Sequence, residues 1–197
     1  MKVLKFGGTS VGSAASISAL LSIVKEAREN DDIVVVLSAM SGVTNQLLEM
    51  AEQAQSGNDY APQLLTIEEK HFDVIRALLP ASAQNPVFTK LKIYFNELED
   101  VLQAVLNLRE LTAQTKDLIL SYGERCSTFM VSHIARQQQP DVLAVDGAQL
   151  IKTDSDFGQA KVNMPLSELL INDFYALNKG KLLFVTGFVS SNDHGRI

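Results

Sequence analysis

The stretch Lys2-Val3-Leu4-Lys5-Phe6-Gly7-Gly8-Thr9-Ser10-Val11-Gly12-Ser13-Ala14-Ala15-Ser16, residues 2–16, decides how the rest of the chain is read. Val3 to Phe6 is a short β pattern closed by two glycines. Ile17, Leu20, Leu21, Val24 and Ala27 then recur at helical spacing. Ile33-Val34-Val35-Val36-Leu37 follows, a continuous apolar run suited to a strand buried on both faces of a parallel sheet. The unit is strand, glycine turn, helix, strand. Right-handed crossover makes a mainly parallel α/β sheet the expected architecture.

A strand, glycines and a helix N-terminus together favour an anion, because free N–H groups and the helix dipole point to one place. Two familiar phosphate loops do not fit. Gly7 and Gly12 have Walker A spacing, but Ser13-Ala14 stands where Lys and Ser/Thr are required. The dinucleotide fingerprint lacks its second glycine. The unusual residue is Lys5, on the strand just before the loop. A lysine within a buried strand is costly unless a counter-charge meets it, and a bound phosphate could supply one. The competing reading is an edge-strand lysine reaching water beside a plain turn. The loop alone leaves both open.

The rest of the chain adds context. Ser56-Gly57-Asn58-Asp59 is linker-like, and residues 62–139 read as a helical insertion within one α/β domain, interrupted from Pro80 to Pro86. Strands are expected at Val142–Val145 and Lys181–Phe188, with a helix near Leu166–Leu177 between them. LSAMSGVTN, residues 37–45, repeats the opening design: a buried strand, then a small-residue loop entering a helix, with Ser38 and Thr44 offering hydroxyls. Ligands of open α/β sheets bind outside the carboxyl ends of the strands. In SYGERCSTF, residues 121–129, Glu124 falls off the apolar stripe. It suits a substrate ammonium if it faces the crevice; by itself the Glu124-Arg125 pair reads as a solvated surface pair. Cys126 lies on the stripe and reads as core. Asp154, Asp156 and Gly158 make a polar loop that either faces a ligand or simply connects. His71, His133 and His194 share no metal-ligand spacing.

Composition narrows the classes. The 197 residues carry a net charge of −6 and no basic patch, which argues against a nucleic-acid partner. A single cysteine excludes an internal disulfide and suits a reducing cytoplasm. No apolar run reaches the roughly 20 residues a membrane span requires.

Taken together, KFGGTSV at 5–11, SAMSGVTN at 38–45, GER at 123–125, TDSDFGQA at 153–160 and VTGFVSSN at 185–192 resemble the aspartokinases of the amino acid kinase family. The order and spacing match over essentially the whole chain. FGQA looks most like the lysine-sensitive monofunctional branch. The resemblance implies a three-layer αβα sandwich of the carbamate kinase-like type. It implies transfer of the ATP γ-phosphoryl to the β-carboxylate of L-aspartate, the first step toward lysine, threonine and methionine. Lys5 would be the catalytic lysine, and Gly7, Gly8, Thr9 and Ser10 would cradle the phosphates. Ser38 and Thr44 would contact aspartate, Glu124 would receive its ammonium, and Mg²⁺ would accompany ATP.

The family's GRGGSD segment does not occur here, and Gly195-Arg196 lies too close to Gly187 to stand for it. The expectation is therefore an N-terminal part of a catalytic domain, truncated on its C-terminal side and inactive alone. The last strand is expected to expose an edge through which such a piece self-associates, and the full-length enzyme is expected to be a homo-oligomer. The alternatives are a non-catalytic aspartate- or anion-binding module, and the N-terminal part of a bifunctional aspartokinase–homoserine dehydrogenase.

Overall fold

The structure, a computed structural model, describes residues 1–197. Its centre is a four-stranded, wholly parallel sheet of β1 (Lys2–Phe6), β2 (Ile33–Leu37), β3 (Val142–Val145) and β4 (Leu182–Thr186), in the order β1-β2-β4-β3. In β2 the side chains of Ile33, Val35 and Leu37 are buried, while Val34 and Val36 are half-buried. The two sheet faces are thus unequally covered. The register aligns Phe6 with Leu37 and Leu37 with Thr186, so these three strands end together and release their loops at one edge.

Six helices cover the sheet. They are α1 (Ala14–Arg28), α2 (Val43–Ser56), α3 (Ala61–Leu78), α4 (Ala81–Leu108), α5 (Ala113–Arg136) and α6 (Met164–Leu177). The crossovers β1-α1-β2 and β2-(α2–α5)-β3 advance across the sheet in one direction, whereas β3-α6-β4 runs back. Right-handed connections therefore put α1–α5 on one face and α6 on the other. This is a three-layer αβα arrangement. The α6 layer is thin: only Ser167 of that helix is buried, and Met164, Leu169 and Leu177 are exposed.

Helices α3–α5 fill most of the interval read as an insertion, but they are not a separate body. Leu91, Leu98 and Leu102 of α4 share one continuous core with Ile119 and Met130 of α5, Val35 and Leu37 of β2, and Phe184 of β4. Below that core, Arg28 at the end of α1 binds the Gln139 side chain at 2.5 Å, the Asp141 carboxylate and the Gly180 carbonyl. One guanidinium thereby ties α1 to the starts of β3 and β4.

Two sequence expectations change and a third is decided. First, Pro86 does not break the middle helices, because α4 runs from Ala81 to Leu108 straight through it. Pro86 is the sixth residue of this 28-residue helix, so it removes one helical bond, to the Ser82 carbonyl, near an end that the rest of α4 outweighs. Second, β4 is not an open edge. It lies between β2 and β3 with both sides paired, and the free edges belong to β1 and β3. Self-association through the last strand is therefore withdrawn. Third, of the two placements left open for Lys5 the edge-strand one holds: β1 is an edge strand and the Lys5 side chain is exposed.

Two features yield tests of stability. His71 on α3 is fully buried, with Nδ1–H donating to the Ile67 carbonyl at 2.8 Å and its ring edge-on to Phe95. Burial lowers its pKa from 6.5 to about 4. The neutral ring is the folded form, so its contribution is complete above the unfolded value and is lost as pH falls toward the folded one. Stability should drop by about 1.4 kcal/mol per pH unit from this group across that window. Urea titrations at pH 7.5 and pH 5 should show a smaller drop for His71→Leu than for the unaltered protein; equal drops would refute the assignment. The second feature is Gly123 in α5, where an added Cβ would stand 2.8 Å from Ala39 Cβ and 3.3 Å from Leu47 Cδ1. Gly123→Ala should destabilise by about 1–3 kcal/mol through overpacking, read as a lowered denaturation midpoint.

Candidate active site at the carboxyl edge of the sheet

The loops released by β1 and β2 interlock. After β1, Gly8–Val11 forms a single 3-10 turn, and α1 starts only at Ala14, where the Ser13 hydroxyl caps it by accepting from Ser16 N–H. The anion-binding part of the opening stretch is therefore the turn itself, with the helix one step removed. No backbone hydrogen bond begins at the amide of Gly8 or Thr9. The glycines serve close approach, since Gly7 has an extended backbone and neither Gly8 nor Gly12 has a positive φ. A Cβ on Gly8 would meet the Ala39 carbonyl at 3.0 Å and Ser41 Cα at 3.4 Å. A Cβ on Gly7 would find only Lys5 Nζ, at 3.9 Å. The Lys5 ammonium thus folds back over the first glycine of the loop.

The β2 loop is held from both sides. Ser38 N–H donates to the Phe6 carbonyl at 3.2 Å, and Ser41 N–H donates to the Gly8 carbonyl at 3.1 Å. From the helical layer, the Ser127 hydroxyl donates to the Ser38 carbonyl at 2.7 Å. Gly42 then takes a left-handed backbone, φ +81°, which turns the chain into α2. Thr44 lies exposed in the first turn of α2. Ser38 is half-buried with its backbone fixed on either side.

Glu124 completes the cluster from α5. It is not part of a solvated surface pair: it is only 7% exposed, and its Oε1 accepts the Ala39 N–H at 3.1 Å. Burial raises its pKa above the usual carboxylate range; the Ala39 N–H and the nearby charge of Lys5 pull in the opposite direction. Arg125 turns elsewhere, donating through Nε to Asp146 at 3.2 Å, with its guanidinium 5.5 Å from the Tyr122 ring centre. Two strand ends, the first turn of α2 and the middle of α5 thus bring Lys5, Gly7, Gly8, Thr9, Ser10, Ser38, Thr44 and Glu124 to the same edge of the sheet.

Other sequence candidates fall outside this cluster. Cys126 is buried core, and burial raises its thiol pKa. Asp154 accepts the amides of Asp156 and Lys161, and Asp117 on α5 accepts Gly158 N–H at 2.6 Å, so residues 152–163 form a connection bonded to itself and pinned to α5. Sequence reasoning missed Ala39 and Ser127, which fix Glu124 and Ser38. The small residues Gly123 and Ser127 flanking Glu124 on α5 were the available signal, since only a helix pressed against another backbone needs them there.

Comparison with known proteins agrees with this geometry. The amino acid kinase family profile matches residues 1–197. A bifunctional aspartokinase/homoserine dehydrogenase of Buchnera aphidicola is 27% identical over 98% of this chain, which spans 24% of that protein. Among solved structures, E. coli aspartokinase III in complex with lysine and aspartate (T-state) superposes with a TM-score of 0.84 at 27% identity. That match covers 98% of this chain and 42% of the other. The same enzyme in complex with aspartate and ADP (R-state) gives a TM-score of 0.87 at 24% identity. The chain thus spans about a quarter of that curated relative's length and under half of the solved enzyme's. A full-length family match, a parallel αβα sheet and two interlocked small-residue loops at its carboxyl edge lead to one conclusion: the chain belongs to the amino acid kinase family.

Proposed function

We propose that this chain supplies the acceptor-binding and phosphate-binding loops of an aspartokinase, acting with ATP on L-aspartate in the cytoplasm on the way to lysine, threonine and methionine. The observation that carries this reading is the convergence of a lysine, a glycine turn with free amides and a buried carboxylate at one sheet edge. Support also comes from the likeness to E. coli aspartokinase III, solved with aspartate and with ADP.

The chemistry follows from the groups. A β-carboxylate oxygen of aspartate attacks the γ-phosphorus of ATP, the bond to the β–γ bridging oxygen breaks, and ADP leaves with that electron pair. Lys5 neutralises charge on the β- and γ-phosphates as it shifts toward the leaving oxygen. The Gly8 and Thr9 amides bind phosphate oxygen from below, and Gly7 leaves room for it, with Ser10 beside them. Glu124 receives the α-ammonium of aspartate, while the hydroxyls of Ser38 and Thr44 orient its carboxylates. Mg²⁺ would accompany the nucleotide, held mainly through its phosphates.

A second reading rests on the Buchnera relative, a bifunctional enzyme: the chain would belong to the kinase half of a protein that also carries a homoserine dehydrogenase. Assaying the intact gene product for homoserine oxidation separates the two.

The test of the main reading is aspartyl phosphate trapping with hydroxylamine. The intact gene product should form aspartyl hydroxamate from ATP and aspartate. Lys5→Ala should lower kcat by about a hundredfold or more, as expected for loss of a preorganised charge. Near-normal turnover in that variant would remove Lys5 from the mechanism.

A further inference from the structure

Helix α3 sends one cation to the interlocked loops. Lys70 Nζ donates to the Ser41 carbonyl at 2.5 Å, 29 positions away in sequence. None of the chain's ion pairs includes Lys70. The carboxylates nearest to it along α3 are engaged elsewhere: Glu69 and Asp73 both pair with Arg76, and Glu68 pairs with Lys92. Its neighbour on α3, His71, is fully buried and anchors the helix to the core.

Ser41 is the residue against which the glycine turn is built. Its N–H donates to the Gly8 carbonyl at 3.1 Å. Its Cα lies 3.4 Å from the Cβ position of Gly8, and its Cβ lies 3.2 Å from that of Gly12. The two glycines that bracket Thr9 and Ser10 therefore both pack against this one exposed residue, Gly8 also against the Ala39 carbonyl. From the helical layer, Lys70 is the side chain that grips it.

We propose that Lys70 is a positioning residue for the phosphate-binding turn, acting through the Ser41 carbonyl. This inference rests on the function proposed above for that turn. An ammonium holding a neutral carbonyl fixes Ser41 with a charge-assisted hydrogen bond, and with it the backbone against which the turn packs. The predicted signature is weaker nucleotide binding with the chemical step preserved, since Lys70 touches neither the transferred group nor the acceptor.

Amide hydrogen exchange and steady-state kinetics on the intact gene product test this together. Lys70→Met keeps most of the aliphatic stem and removes the donor; Lys70→Gln serves as a second neutral variant, and Lys70→Arg keeps a cationic donor. Exchange at the hydrogen-bonded amides of Ser10, Gly12 and Ser41 should be about tenfold faster in the neutral variants, the size expected for one lost hydrogen bond to a charged group. KM for ATP should rise by about the same factor, with kcat within about twofold. Lys70→Arg should restore both. Unchanged exchange at these three amides in both neutral variants overturns the proposal. So does a fall in kcat with KM for ATP unchanged. If the unaltered protein shows no aspartate-dependent turnover, the proposed function fails, and the exchange measurement alone decides the tether.

Discussion

A carboxyl group in a protein interior is costly unless its polar atoms find partners, and Glu124 finds one at the end of β2. The Ala39 N–H has no strand partner beyond the end of the sheet, and the Glu124 oxygen fills that place. A buried N–H and a buried carboxylate each cost free energy alone, and each satisfies the other. For this to happen α5 must cross the sheet edge at backbone contact. That is why Gly123 precedes Glu124 and why Ser127, one turn later, reaches the Ser38 carbonyl. Much of the site's geometry follows from this one crossing.

The same constraint explains how a mostly helical middle section serves a loop-based site. Helices α2–α4 pack against α5 and against each other, and their shared core with β2 and β4 sets the height at which α5 passes. Lys70 extends that control to the loop itself. The site is thus held between two layers: strand ends from below and helices from the side. Lys5, on the exposed edge strand, remains free to follow a ligand.

The fold was readable in the sequence to different depths. β1, the glycine turn, α1 and β2 were legible because the apolar period changes sharply between them, and IVVVL admits few readings other than a buried parallel strand. Pro86 misled, since its effect depends on where α4 begins, and the helix already starts after Pro80 and continues through Val87 and Leu91, which are buried. The central place of β4 was illegible, because strand order is a tertiary property that the sequence of a single strand does not carry. At the site, the loops could be found from small residues after apolar runs. Glu124 could not be placed by periodicity: a residue off the apolar stripe looks solvated unless the neighbouring backbone is known.

The strand order also governs how such a chain comes together in time. β1 and β2 are joined by a single helix and can pair early. β3 pairs with β4, and β4 sits between β2 and β3 although it follows both in sequence. During synthesis the β1–β2 pair and the helices above it must wait, with the inner edge of β2 uncovered, until Leu182–Thr186 arrives to bridge them. Pairing across so long a stretch of chain is slow. The interval before it is the time at which a nascent chain of this design is most in need of a chaperone.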